Sequence, residues 1–156
     1  MEKEADMETV DEATRLFDKG LALIKRGYPA EAIQYLEQVI SLGHKSSACY
    51  SWLGVAMARS KWDMAKAEEF CKMAVKKEFY MPQYYINLAE VYKLKGNKVK
   101  AIKTLEAGLK LDSENKVILK ELYKFGARKG PAIPILSREN PINKQLGIVL
   151  SKIKKR

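Results

Sequence analysis

The sequence predicts an all-α fold of stacked antiparallel helical hairpins, an α-solenoid. Three observations predict it. Small residues recur at Gly20, Gly54 and Ala89, and again at Ala32, Ala67 and Ala101, with separations of 34 and 35 positions in both series. Larger apolar residues follow the same register: Leu16, Tyr50 and Tyr85; Leu23, Met57 and Tyr92; Leu36, Cys71 and Leu105. Within each unit the apolar positions fall at three- and four-residue spacing, the signature of a helix with one buried stripe.

The elements then follow in order. Helices are expected over 8–26 and 29–42, 46–60 and 63–77, 82–95 and 98–111, with a capping helix over 114–127 and a last one over 141–154. Punctuation supports these bounds. Gly27 and Gly96 suit the left-handed position after a helix end. Pro29 and Pro82 suit the first turn of the next helix. Asp63 and Asn97 suit N-caps, because their side chains can accept free amides of the first turn. The stretch "KLKGNKVKAIKTLEAGLKLD" shows the pattern: a turn at Gly96–Asn97, then Val99, Ile102, Leu105 and Leu109 on one expected stripe. One extra residue near Lys61–Trp62 accounts for the 35-residue interval. One hairpin cannot bury its own apolar face, so three are expected to stack, with repeats at about 13–46, 47–81 and 82–115. The segment "SENKVILKELYKFGARKG" reads as the cap, apolar at Val117, Leu119, Leu122 and Phe125.

Composition bounds the rest. The chain has 156 residues, 47% of them hydrophobic, which fits a folded domain. It has no apolar run long enough to span a bilayer, and its acidic N-terminal stretch does not read as a secretory signal. Cys49 and Cys71 form no close-spaced metal or redox pair, so a reducing cytoplasm is the expected compartment. The net charge of +10 is uneven. Residues 1–46 hold six Lys/Arg and nine Asp/Glu, a net of −3, whereas residues 116–156 hold eleven and two, a net of +9.

Catalysis finds little to stand on. His44 is the single histidine and sits beside Gly43 in an expected loop, where a surface role is the simpler reading. No glycine-rich phosphate loop is present. Cys71 holds a core repeat position and reads as a buried, inert thiol. Glu68 and Glu69 read as solvent-facing. Tyr50, Tyr85 and Tyr92 read as core residues, and Trp62 as a clamp on its turn. No catalytic residue, cofactor or metal site is expected.

A helix–turn–helix unit of about 34 residues resembles the tetratricopeptide repeat family. The residues that carry the resemblance are Leu16, Gly20, Leu23, Ala32, Leu36 and Val39 in the first copy. They are Tyr50, Leu53, Gly54, Met57, Ala67, Cys71 and Ala74 in the second, and Tyr85, Leu88, Ala89, Tyr92, Ala101, Leu105 and Gly108 in the third. The aromatic expected late in each second helix is replaced by Leu36, Cys71 and Leu105, and the repeat-end proline is clear only at Pro82.

The resemblance implies a non-catalytic adaptor or scaffold whose first helices line a groove for a peptide or partner helix. Carried over position by position, it implies Phe17, Leu21 and Ile24, then Trp52, Val55 and Arg59, then Asn87, Glu90 and Lys93. Lys120, Lys124 and Arg128 would extend the floor. Such a surface, apolar at one end and basic at the other, suits a protein ligand with apolar anchors followed by acidic residues. Phe17, Leu21, Trp52, Gln83 and Asn87 stand where family members that grip acidic chaperone tails carry a Lys, Asn and Arg clamp, so that ligand is not expected.

Residues 131–156 form a basic, proline-containing tail. Asn140–Pro141 is a good helix start, and Ile142, Leu146, Val149, Leu150 and Ile153 make one apolar stripe. Docking of this stripe on the solenoid is the expected arrangement. The alternative is a basic module that binds nucleic acid or an anionic membrane through residues 128–156.

Overall fold

A computed structural model describes residues 2–126, with side chains from Thr9 onward. Seven helices follow one another: α1 (Glu2–Arg26), α2 (Pro29–Ser41), α3 (Ser47–Ser60), α4 (Met64–Lys77), α5 (Pro82–Leu94), α6 (Lys98–Leu111) and α7 (Lys116–Gly126). They pair as the hairpins α1/α2, α3/α4 and α5/α6, and α7 packs on α6. Successive hairpins meet through α2 on α3, and through α3 and α4 on α5. The all-α hairpin architecture is therefore as expected. The tail, the helix over 141–154 and Arg128 lie outside the described residues.

Each hairpin turns by the same device. Gly27 and Gly96 adopt left-handed φ of 90° and 76°. The next amide reaches back five residues, Tyr28 N–H to the Leu23 carbonyl at 2.9 Å and Asn97 N–H to the Tyr92 carbonyl at 2.8 Å, which satisfies the last helical carbonyls. The second turn makes the same bond, Trp62 N–H to the Met57 carbonyl at 3.1 Å, with Lys61 in the glycine position. In the third turn Asn97 both closes α5 and caps α6. In the second, Trp62 closes α3 and Asp63 caps α4, its Oδ1 accepting from Ala65 and Lys66 N–H. The extra residue of this repeat is thus Trp62.

Small residues sit where helices touch. A β-carbon built on Gly54 would lie 2.6 Å from Cys71 Sγ and 2.7 Å from the Ala67 carbonyl, so α3 and α4 meet without room for a side chain. Ala32, Ala67 and Ala101 are buried in the core. The later core positions Leu36, Cys71 and Leu105 are buried as well.

Several expectations are corrected. α1 begins six residues earlier than expected, because the leading segment holds no proline or glycine and its acidic residues suit a helix N-terminus. α7 begins two residues late. Asn115 Oδ1 accepts from Val117 and Ile118 N–H and sets the helix phase there. Ile118 consequently joins Leu119 and Leu122 in the core while Val117 is 53% exposed. Val99 is likewise exposed, one residue off the stripe of α6. Tyr92 is buried, but Tyr50 and Tyr85 are half-buried. The Tyr50 ring leans on Phe70 at 5.4 Å, and the Tyr85 hydroxyl donates to the Phe79 carbonyl at 2.9 Å. Trp62, expected to clamp its turn, is 67% exposed. Glu68 is not solvent-facing: Lys72, one turn on, and Lys95 on the next hairpin both pair with it.

Candidate functional site

The first helix of each hairpin carries the residues expected to hold a partner, and polar bonds tie these helices side by side. Arg59 of α3 is the central link. Its Nε and one terminal nitrogen donate to Glu90 of α5 at 2.7 and 3.1 Å, a bidentate pair. Its other terminal nitrogen donates to the Ile24 carbonyl of α1 at 3.2 Å. Residues 24, 59 and 90 therefore share one face across three helices. The face continues onto α7, where Lys93 and Lys124 both pair with Glu121, Lys93 at 3.3 Å. Burial pushes the Glu121 carboxyl up, but the hydrogen bond from Lys124 and the charge of Lys93 outweigh it, and the net shift is downward.

The expected site residues divide by burial. Phe17, Leu21 and Trp52 are half-buried, with Phe17 and Trp52 packed against the core and part of their surfaces open. Arg59, Lys93, Lys120 and Lys124 are exposed, and Glu90 is partly so. Ile24, Val55 and Asn87 are buried. The Asn87 amide is committed inside the fold. Its Nδ2 donates to Ser51 Oγ at 2.9 Å, and its Oδ1 accepts from Gln83 Nε2 at 2.8 Å. Ser51 has its own carbonyl engaged by the Cys71 thiol at 3.4 Å. Burial pushes the Cys49 thiol up to about 12 and the Cys71 thiol higher still, so both are poor nucleophiles.

Two features were missed from sequence. Glu121 is the lone acid of "KVILKELYKFG", three residues before Lys124, and that spacing was the available signal. The Ser51–Asn87 bond joins two repeats and had no local signal. Beside Glu121 lies an open pocket of about 480 Å³, lined by Lys93, Gly96, Lys98, Glu121, Tyr123, Lys124 and Phe125. Among the described residues no cluster of three or more His, Cys, Asp or Glu could hold a metal ion, and no helix is long and apolar enough to cross a membrane.

The family model for the tetratricopeptide repeat matches residues 13–42 and 82–115, the first and third hairpins in the same register as the turns described above. These two segments are tetratricopeptide repeats. The second repeat, which carries Lys61 in place of glycine and the extra Trp62, is supplied by the geometry of the turn. No curated protein matches the sequence. Among solved structures, the tetratricopeptide-repeat fold is similar to the first TPR domain of human RPAP3, at 24% identity and TM-score 0.64, covering 74% of this chain and 91% of that one. It is also similar to the first TPR of Spaghetti (RPAP3) bound to the HSP90 peptide SRMEEVD, at 24% identity and TM-score 0.63, covering 75% and 92%. A third is PcrH in complex with the chaperone binding region of PopB, at 15% identity and TM-score 0.60, covering 75% and 94%. At these identities the likeness is one of fold.

Proposed function

We propose that this protein is a non-catalytic adaptor that holds a peptide or helix of another protein on the face of its first helices. The observation that carries this reading is the polarity of that face. One end offers the half-buried apolar surfaces of Phe17, Leu21 and Trp52. At the other, Lys93 and Lys124 share the single carboxylate of Glu121, with Lys120 exposed one turn before Lys124, so the end keeps a net positive charge. A ligand with apolar anchors followed by acidic residues matches both ends. The solved neighbours bound to peptides of other proteins support the same class of function.

An acidic chaperone tail is not the ligand favoured here. Asn87 stands at a clamp position, but its amide is consumed by Ser51 and Gln83. The paired Arg59 and Glu90 hold α3 and α5 in place, so Trp52 and the lysines at the α7 end are the contact residues of this proposal. The test is binding of an array of peptides that combine aromatic anchors with acidic ends. Trp52→Ala, and Lys93→Gln with Lys124→Gln, are each expected to weaken the best binder at least tenfold with helicity by circular dichroism intact. Unchanged binding in both variants would move the contact surface elsewhere.

A further inference from the structure

The three hairpin turns are built by one motif at one place in every repeat, so their tips fall along a single edge of the solenoid. This edge differs from the face of the first helices. Its segments, residues 25–31, 60–66 and 95–100, contain seven Lys/Arg against two Asp/Glu. Asp63 is consumed as an N-cap, and Glu68 beside the edge answers Lys95. Lys25, Arg26, Lys61 and Lys98 stand exposed. Two aromatic rings stand among these cations: Tyr28, 49% exposed beneath Arg26, and Trp62, 67% exposed. Trp62 is also the residue by which the second repeat exceeds the other two, and its ring contributes nothing to the core that would explain its type.

The opposite edge is a useful contrast. It also exposes Phe79 and Tyr80, but its segments, residues 41–47, 76–83 and 111–116, hold four Lys/Arg against three Asp/Glu. The two rings there also pack on each other, edge to face at 5.8 Å. An anionic partner is therefore selected by the turn edge and not by its opposite.

We propose that the hairpin-turn edge docks on an anionic membrane surface, with Trp62 and Tyr28 entering the headgroup layer and the lysines of the turns facing lipid phosphates. A row of separate tips suits a planar surface. Trp and Tyr are the side chains that settle at the membrane–water interface, and each lysine near an anionic leaflet strengthens binding about fivefold. The edge adjoins the adaptor face at Lys98, which lines one pocket with Lys93 and Lys124, but peptide binding reads one proposal and Trp62 with vesicles the other, so the two stand or fall separately.

The test uses the full chain and vesicles of phosphatidylcholine with and without phosphatidylserine. Trp62 and Trp52 are the two tryptophans, so Trp52→Phe leaves Trp62 as the sole tryptophan emitter. Its emission is expected to move to the blue with phosphatidylserine vesicles and to be quenched by lipids brominated in their upper acyl chains. If Trp52→Phe fails to fold, the difference between wild type and Trp62→Phe gives the same reading. Lys61→Gln with Lys98→Gln is expected to weaken vesicle binding about twenty-five-fold, fivefold for each lysine. Added salt should weaken it further. Equal binding to pure phosphatidylcholine, or an unquenched Trp62, would overturn the proposal. So would vesicle binding lost on changing Lys154 and Lys155 to Gln but kept in the turn variants, which would assign it to the tail. Quenching of Trp62 by a single-stranded oligonucleotide with no response to vesicles would overturn it in favour of base stacking.

Discussion

Lys61 holds a left-handed backbone conformation, φ 56°, at the position that Gly27 and Gly96 fill in the neighbouring repeats. A β-carbon there crowds the following carbonyl, at a cost of about 1–2 kcal/mol. Lys61→Gly relieves the crowding but loosens the unfolded chain. The net expectation is a gain of up to about 1 kcal/mol, read from urea unfolding midpoints, and a loss of stability would show that the lysine side chain holds the turn. The two thiols make a second prediction at this scale. Both are buried with their pKa raised, Cys49 to about 12. Alkylation at pH 8 is expected to be negligible in the native protein and rapid in denaturant, and rapid labelling of native protein would contradict the burial. Neither Lys61 nor Asn87 betrayed its role in the sequence. The turn position of Lys61 was hidden by a residue type that seldom adopts it. The bond of Asn87 to Ser51 spans 36 positions, beyond any local pattern.

Among the elements, the contact of α3 with α4 is the tightest test of the repeat register. Gly54→Ala places a methyl group 2.7 Å from the Ala67 carbonyl, which is backbone and cannot swing away. It is expected to cost about 1–3 kcal/mol. Gly20→Ala meets the movable end of Leu36 at 3.0 Å instead, and the better helix propensity of alanine offsets the crowding, so it should be close to neutral. Thermal melts that rank the two in the reverse order would contradict this packing. The second and third hairpins are also joined by charge. The hydrogen bond from Lys72, and then that from Lys95, hold the Glu68 carboxyl at about 2, below its ordinary 4.5. A carboxyl depressed in the folded state adds stability that is complete above about pH 4.5 and fades as pH falls toward 2. Glu68→Gln should cost about 1 kcal/mol at pH 7 and flatten the acid limb of stability in that window. An unchanged acid limb would show that Lys72 and Lys95 contribute nothing through Glu68. The capping helix shows where element reading slips. Leu119, Leu122 and Phe125 fit a stripe that also admits Val117, and the Asn115 cap decided for Ile118 instead.

Across the whole molecule, burial is graded from the centre outward. α3 is packed against α2, α4 and α5, and an unbroken run from Leu53 to Ala58 is buried. Only Trp52 and Arg59, on either side of this run, keep open surface on the face of the first helices, which is why Val55 could be assigned to that face from sequence and proves enclosed. Native-state hydrogen exchange should therefore find the slowest amides in α3, and much faster exchange in α7 and the first half of α1, because each repeat is stabilised by its neighbours. Uniform protection along the chain would argue for a single cooperative block. The sequence by itself determined the number of hairpins, the turns at Gly27 and Gly96 and the small-residue contacts, since these depend on spacing and on residues with unusual backbone or capping chemistry. Tertiary structure alone decided which side chains of the first helices stay open, that Arg59 is bound to Glu90 and the Ile24 carbonyl, and that Trp62 stands exposed among the lysines of one edge. Those outcomes depend on which helix lies beside which, and packing partners 30 or more positions away leave no periodic mark on the chain.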